Sequence, residues 1–172
     1  MNPKKPNFPL SDVNLLTQLS LLTALSLGIY GLESLLPPLF PIPGMKLGLA
    51  NIITLVALRR YGPKACALVL FVRCLLAALL FGQMLSLAYS IAGGFVCLLA
   101  ELLIDRLLKQ KALYLTSSFG GLFHNLGQLA VACLITASAA PLTFLPYLII
   151  AGILTGCFVG LCSHFLLRFP LQ

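Results

Sequence analysis

The chain has 172 residues, 60% of them hydrophobic and 9% charged, with a formal net charge of +7 and a mean hydropathy of +1.05. A soluble domain of this size carries about 45 to 50% apolar and about 25% charged residues, so an ordinary water-soluble fold is excluded. Apolar runs of about 17 to 25 residues recur along nearly the whole length and leave no room for a second, aqueous domain. The expected fold class is an all-α integral membrane protein, in which positive charge marks topology rather than nucleic-acid binding.

Residues 1–13, beginning "MNPKKPNFPL", read as a polar, proline-rich arm with no cleavable signal pattern. Residues 14–168 read as a single transmembrane domain. Six helices are expected in it, over 15–36, 46–60, 63–82, 84–108, 117–140 and 142–167, separated by the breakers "PPLFPIPG", "YGP", "FGQ", "KQKALY" and "SAAP". With the amino terminus inside, the inner segments collect Lys4, Lys5, Arg59, Arg60, Lys64, Arg106, Lys109, Lys111 and Arg168, against Lys46 alone outside. That asymmetry predicts six spans with the N and C termini cytoplasmic, and an inner face suited to anionic lipid head groups or an acidic partner.

The first helix carries Ser20, Ala24 and Gly28, and the sixth carries Gly152, Gly156 and Gly160. A small residue every fourth position lets helices pack backbone to backbone, within the chain or against a partner. The second helix is unusual because only twelve uncharged residues separate Lys46 from Arg59. They make about 18 Å of helix against a hydrocarbon core of about 30 Å. Either its ends snorkel, or "PPLFPIPGMK" dips into a cavity and carries Lys46 below the membrane surface.

Arg73 lies near the middle of the third helix, nine residues beyond Lys64. An arginine at mid-bilayer costs at least about 2.5 to 3.5 kcal/mol and faces a cavity, a partner or a ligand. Glu33, Glu101, Asp105 and Asp12 are the acids available for a salt bridge, and none counts to its depth. The fourth helix offers Ser86, Tyr89 and Ser90 ahead of Gly93 and Gly94. The fifth places His124 thirteen residues past Lys111, about 20 Å in and near the depth of Arg73. Gly120, His124 and Gln128 recur every fourth residue on one face, with Asn125 beside it. These side chains are either interhelical glue or, with Lys46, Asn51, Thr54, Tyr89 and Ser90, the amide walls and cationic floor of an outward-opening pocket.

Cys66, Cys74, Cys97, Cys133, Cys157 and Cys162 fit no C-x-x-C spacing and read as small packing residues. The chain has no Walker A pattern, no paired-aspartate motif, no H-E-x-x-H and no G-x-S-x-G. Its two histidines, His124 and His164, lie at different depths, which argues against a shared haem. No enzymatic activity, metal site or cofactor is expected; binding is the reading left.

The stretches "GMKLGLANIITLVALRRYGPKACALVLFVRCLLAALLFG", "SLAYSIAGG" and "HNLGQLAVA", within 44–161, resemble the bacterial Gx transporter family, also catalogued as heptaprenyl diphosphate synthase component I. That family is in turn similar to the substrate-binding S components of energy-coupling factor (ECF) transporters. The resemblance implies a six-helix S-component-like bundle in a bacterial cytoplasmic membrane, contacting membrane lipids, a transmembrane coupling subunit and cytoplasmic ATPases. S components carry an alanine-x-x-x-alanine motif on the first helix. Ala24 and Gly28 occupy that spacing with glycine in the second place, and together with Ser20 they form the expected partner interface.

The function this implies is capture of a small anionic or amphipathic molecule from the outer face, flavin-like, isoprenoid-diphosphate-like or quinone-precursor-like. Arg73 would neutralise it, Lys46 would attract or cap it, and Asn51, His124, Asn125 and Gln128 would orient it. The alternatives are a membrane-embedded subunit assisting prenyl diphosphate or quinone synthesis, and a non-transporting membrane anchor.

Overall fold

The computed structural model describes residues 13–35, 46, 48–81, 84–108 and 112–169. Among them all regular structure is helical: α1 (Val13–Leu35), α2 (Asn51–Tyr61), α3 (Pro63–Phe81), α4 (Met84–Leu107), α5 (Leu113–Thr136) and α6 (Leu145–Arg168), the last preceded by a 3-10 turn, Ala140–Phe144. Five of these segments, α1, α3, α4, α5 and the turn continuous with α6, are long and apolar enough to cross a membrane. Of the arm expected over 1–13, Val13 already opens α1, and residues 1–12, like the proline-rich segment over 36–45, lie outside the described residues.

The distribution of side chains is that of a protein dissolved in lipid. Large apolar groups such as Leu25 and Leu32 of α1, Phe71 and Leu79 of α3, Leu99 of α4, Phe123 of α5 and Phe158 of α6 face outward. Ser26, Glu33, Asn51, Arg73, Glu101, Asp105, Ser117, His124, Asn125 and Gln128 are turned inward. Water would favour the reverse.

Six spans were expected, but α2 has only 11 residues, about 16 Å of helix, and is not one of the five segments of spanning length. It is the buried axis of the bundle. Every residue from Asn51 to Leu58 is buried, and its apolar groups pack with Leu15, Leu19 and Leu22 of α1, Cys66 and Val69 of α3, Leu98 of α4 and Val159 of α6. A helix walled in by protein need not match the hydrocarbon thickness.

Its first turn also begins five residues later than the sequence reading placed it. Gly48 has a φ of +81°, and the Gly48 and Leu49 N–H groups donate to the two oxygens of Glu33, at 2.8 and 3.1 Å. The Asn51 and Ile52 N–H groups then bond to the Gly48 and Leu49 carbonyls at 2.9 and 3.0 Å. A carboxylate from α1 thus serves as the cap that no local side chain supplies. At the other end Gly62, with a φ of +86°, donates to the Leu58 carbonyl at 3.1 Å, and Pro63 starts α3 at once.

The α5 boundaries fall four residues before the expected ones at both ends. Ala137 adopts the left-handed conformation, φ 46°, and its N–H turns back to Cys133 and Leu134. Pro141 opens the 3-10 turn, so the helix expected from 142 becomes regular only at Leu145, with Pro146 in its first turn.

The two small-residue stripes have different fates. Gly152 and Gly160 lie so close to α5 that a Cβ on Gly152 would sit 2.7 Å from the Gly121 carbonyl and one on Gly160 2.8 Å from the Tyr114 Cα. The α6 stripe is therefore the seam of the α5–α6 pair. Ser20, Ala24 and Gly28 are exposed, and a Cβ on Gly28 would meet open space.

Successive helices run in opposite directions, as cross-links at one end show. Arg59 bonds Asp105, Tyr61 bonds Gln18, and Arg60 reaches the Leu166 carbonyl, at 2.6, 2.8 and 3.3 Å. Arg59, Arg60, Lys64, Arg106 and Arg168 share this basic end. Cys66, Cys74 and Cys97 are buried in the core, and the Cys66 thiol donates to the Thr54 carbonyl at 3.3 Å.

Candidate functional site

Arg73 is 3% exposed in the middle of α3. Its Nη2 makes a long 3.5 Å contact with Asn51 Oδ1 and lies 3.7 Å from the adjacent Cys74 sulfur, while its Nε is buried without a partner among the described residues. Among the described residues none of the acids forms an ion pair with it. Glu33 caps α2. Asp105 accepts from Arg59 and from Thr116, at 2.6 and 2.8 Å. Glu101 faces Gly120, where a Cβ would lie 2.7 Å from its Oε1. Asp12 is not described. Among the described residues the one ion pair is Arg59–Asp105, so the internal salt bridge that sequence reasoning held open for Arg73 does not form there.

Asn51 links this cation to the polar face of α5. Its Nδ2 lies 3.2 Å from His124 Nδ1, and Gln128 Nε2 lies 3.0 Å from His124 Nε2. An imidazole with one N–H can accept at only one nitrogen, so the two amide nitrogens cannot both donate to the ring; presenting one amide oxygen to it resolves the conflict. Asn51 Oδ1 already faces Arg73, whereas Gln128 Oε1 has no partner among the described residues where it stands. Turning the Gln128 amide gives a one-way chain: Arg73 donates to Asn51, Asn51 to His124 Nδ1, and His124 Nε2–H to Gln128. The Gln128 amide N–H groups are then the buried donors left over.

Two glycines make room for the ring. A Cβ on Gly48 would fall 2.9 Å from His124 Nε2, and one on Gly93 3.0 Å from His124 Cε1 and 2.9 Å from Gln128 Cγ. Asn51 also borders a cavity of about 10 Å³, shared with Glu101, Ser117 and Thr155 and sized for roughly one water. The Ser117 Oγ there is buried and unpartnered among the described residues.

The other sequence candidates are placed apart from this chain. Asn125 donates to the Leu148 carbonyl of α6 at 2.9 Å and joins α5 to α6. Tyr89 packs with Leu129, Ala132 and Leu148. Ser90 is buried on α4. The Lys46 Nζ sits 3.6 Å from the centroid of the Tyr30 ring and has no hydrogen-bond partner among the described residues. Tyr30 in turn bonds Ser86 at 2.8 Å. Sequence reasoning missed Tyr30, Glu33 and Gly48. Glu33 did carry a signal, as the single acid near the end of an apolar helix, but its role depends on a contact across 15 residues.

A buried arginine wired to two amides and an imidazole can hold an anion by charge and orient it by hydrogen bonds. No curated protein and no solved structure matches the chain. The family model described as heptaprenyl diphosphate synthase component I matches residues 22–166. The chain belongs to the heptaprenyl diphosphate synthase component I family.

Proposed function

We propose that this chain is the substrate-binding membrane component of an ECF-type importer and captures a small anionic or amphipathic molecule. The observation that carries the reading is Arg73, a charge buried inside an apolar bundle with no carboxylate partner among the described residues. An anionic ligand supplies the missing counter-charge. Asn51, His124 and Gln128 orient it, and Lys46, held over Tyr30 by its cation–π contact, draws it in from the end opposite Arg59 and Arg60. The exposed Ser20, Ala24 and Gly28 stripe receives a transmembrane coupling subunit. ATP hydrolysis belongs to partner ATPases, both termini face the cytoplasm, and the membrane is the bacterial cytoplasmic one.

The family description favours a second reading, a membrane-embedded subunit that assists prenyl diphosphate synthesis. A prenyl diphosphate is itself anionic and amphipathic, so the same cluster would hold it. Native mass spectrometry of protein released from its own membrane separates the readings. A recurrent anionic small molecule that is lost in Arg73→Ala supports the importer. Prenyl-transfer activity that requires this chain supports the second. A chain that is always empty, with Arg73→Ala changing only folding, overturns both and leaves a membrane anchor.

A further inference from the structure

The basic end of the bundle holds a groove of about 490 Å³ between α2, α5 and α6, lined by Arg59, Leu113, Tyr114, Gly160, His164 and Leu167, with Leu161 at its side. None of these residues belongs to the Arg73 chain. The volume is that of a site for a medium-sized organic group. Its polar side chains are Arg59 and His164, with the Tyr114 hydroxyl, which can donate or accept. Arg59 gives Nη2 to Asp105 at 2.6 Å, but its Nε is buried and unpartnered among the described residues. Arg168 donates to His164 Nε2 at 3.1 Å. Because an arginine cannot accept, the His164 proton sits on Nδ1 and makes a second donor.

The rest of the lining is mostly apolar, formed by leucines and the Tyr114 ring. Tyr114 is 51% and Leu161 49% exposed, on the outward side where lipid chains would run. A guanidinium N–H and an imidazole N–H beside leucines suit an anion with an attached hydrocarbon, and suit poorly a fully polar anion or a neutral lipid. The neighbouring Arg60 and Arg106 place the groove at the level of charged head groups.

We propose that this groove binds an anionic glycerophospholipid of the adjoining leaflet. The phosphodiester lies against the Arg59 guanidinium and the His164 ring, and the first carbons of one chain lie along Leu113, Tyr114 and Leu161. Charge complementarity selects the occupant, since a zwitterionic lipid would bring its own cation towards Arg59 and Arg168.

The test is thermal unfolding of the purified full-length chain in micelles doped with phosphatidylglycerol, with the same mole fraction of phosphatidylcholine, or with sodium phosphate instead of lipid. Phosphatidylglycerol should raise the midpoint by about 4 °C over phosphatidylcholine, as a ligand specific to the native state does. Sodium phosphate should leave it unchanged within about 1 °C. His164→Glu, at an exposed position, should remove at least about half of the preference by placing an anion at the groove. Arg59→Lys keeps a charge for Asp105 but lacks the Nε donor, and should do the same. If Arg59→Lys does not fold, His164→Glu decides alone. Equal shifts in the two lipids, full preference retained in His164→Glu, or the whole shift reproduced by phosphate would each overturn the proposal.

Discussion

The Glu33 carboxylate takes the Gly48 N–H at 2.8 Å with one oxygen and the Leu49 N–H at 3.1 Å with the other. This single side chain of α1 therefore fixes where α2 starts, and through α2 the position of Asn51 in the Arg73–His124 chain. A negative charge at a helix amino terminus is also favoured by the helix dipole. Glu33→Gln retains the size but loses the charge and one of the two acceptors. It should destabilise the purified protein by about 1 to 3 kcal/mol, read as a lowered unfolding midpoint in detergent. An unchanged midpoint would show that α2 is seated by its apolar contacts alone.

Arg73 is the opposite case, a buried charge whose contacts do not repay its desolvation. Replacing such a group with an apolar side chain of similar length is commonly neutral or stabilising. Arg73→Met should raise the stability of ligand-free protein by about 1 to 3 kcal/mol while abolishing retention of an anionic ligand. Ligand-free unfolding and native mass spectrometry measure the two effects on one preparation. A variant that loses stability instead would mark Arg73 as structural.

Much of this architecture was legible from hydropathy and charge, because lipid imposes long apolar helices and the Lys and Arg residues gather at one end. The similar depth of Arg73 and His124, which Asn51 links, was expected from counting residues in from the flanking charges, since rise per residue converts directly into depth. What the sequence could not carry was direction around each helix. Asn125 adjoins His124 in the chain, yet the 100° between neighbours on a helix sends it to Leu148 of α6. The α2 start was misplaced for a similar reason, since its cap comes from Glu33 on another helix. The α5 end was misplaced because Ala137 takes a left-handed conformation that composition does not announce.

The two small-residue stripes should respond oppositely to added bulk. Gly152→Ala forces a Cβ to 2.7 Å from the Gly121 carbonyl and should cost about 1 to 3 kcal/mol, since backbone cannot rotate aside. Gly28→Leu enters open space and should change stability by no more than about 0.5 kcal/mol. If α1 is the docking face of a coupling subunit, Gly28→Leu should also abolish co-purification of that subunit. Retained co-purification would move the interface to another helix.

The polar face of α5 makes a sharper division within one turn of helix. Asn125 bonds a backbone carbonyl of α6, whereas among the described residues Gln128, 1% exposed, meets His124 with one amide atom and leaves the other unpartnered. Asn125→Leu should lower stability by about 0.6 to 1.7 kcal/mol, the range measured for interhelical bonds in membranes. It should leave ligand affinity within about twofold, because no contact joins it to Arg73. Gln128→Leu removes the free amide donors and the acceptor for His124. It should weaken ligand binding by about tenfold, equivalent to about 1.4 kcal/mol, and also lower stability, since the buried His124 N–H loses its acceptor. Titrating each variant with the anion identified by mass spectrometry, beside its unfolding curve, resolves the pair. Equal losses of binding in both variants would mean that the whole α5 face, and not the His124 chain, meets the ligand.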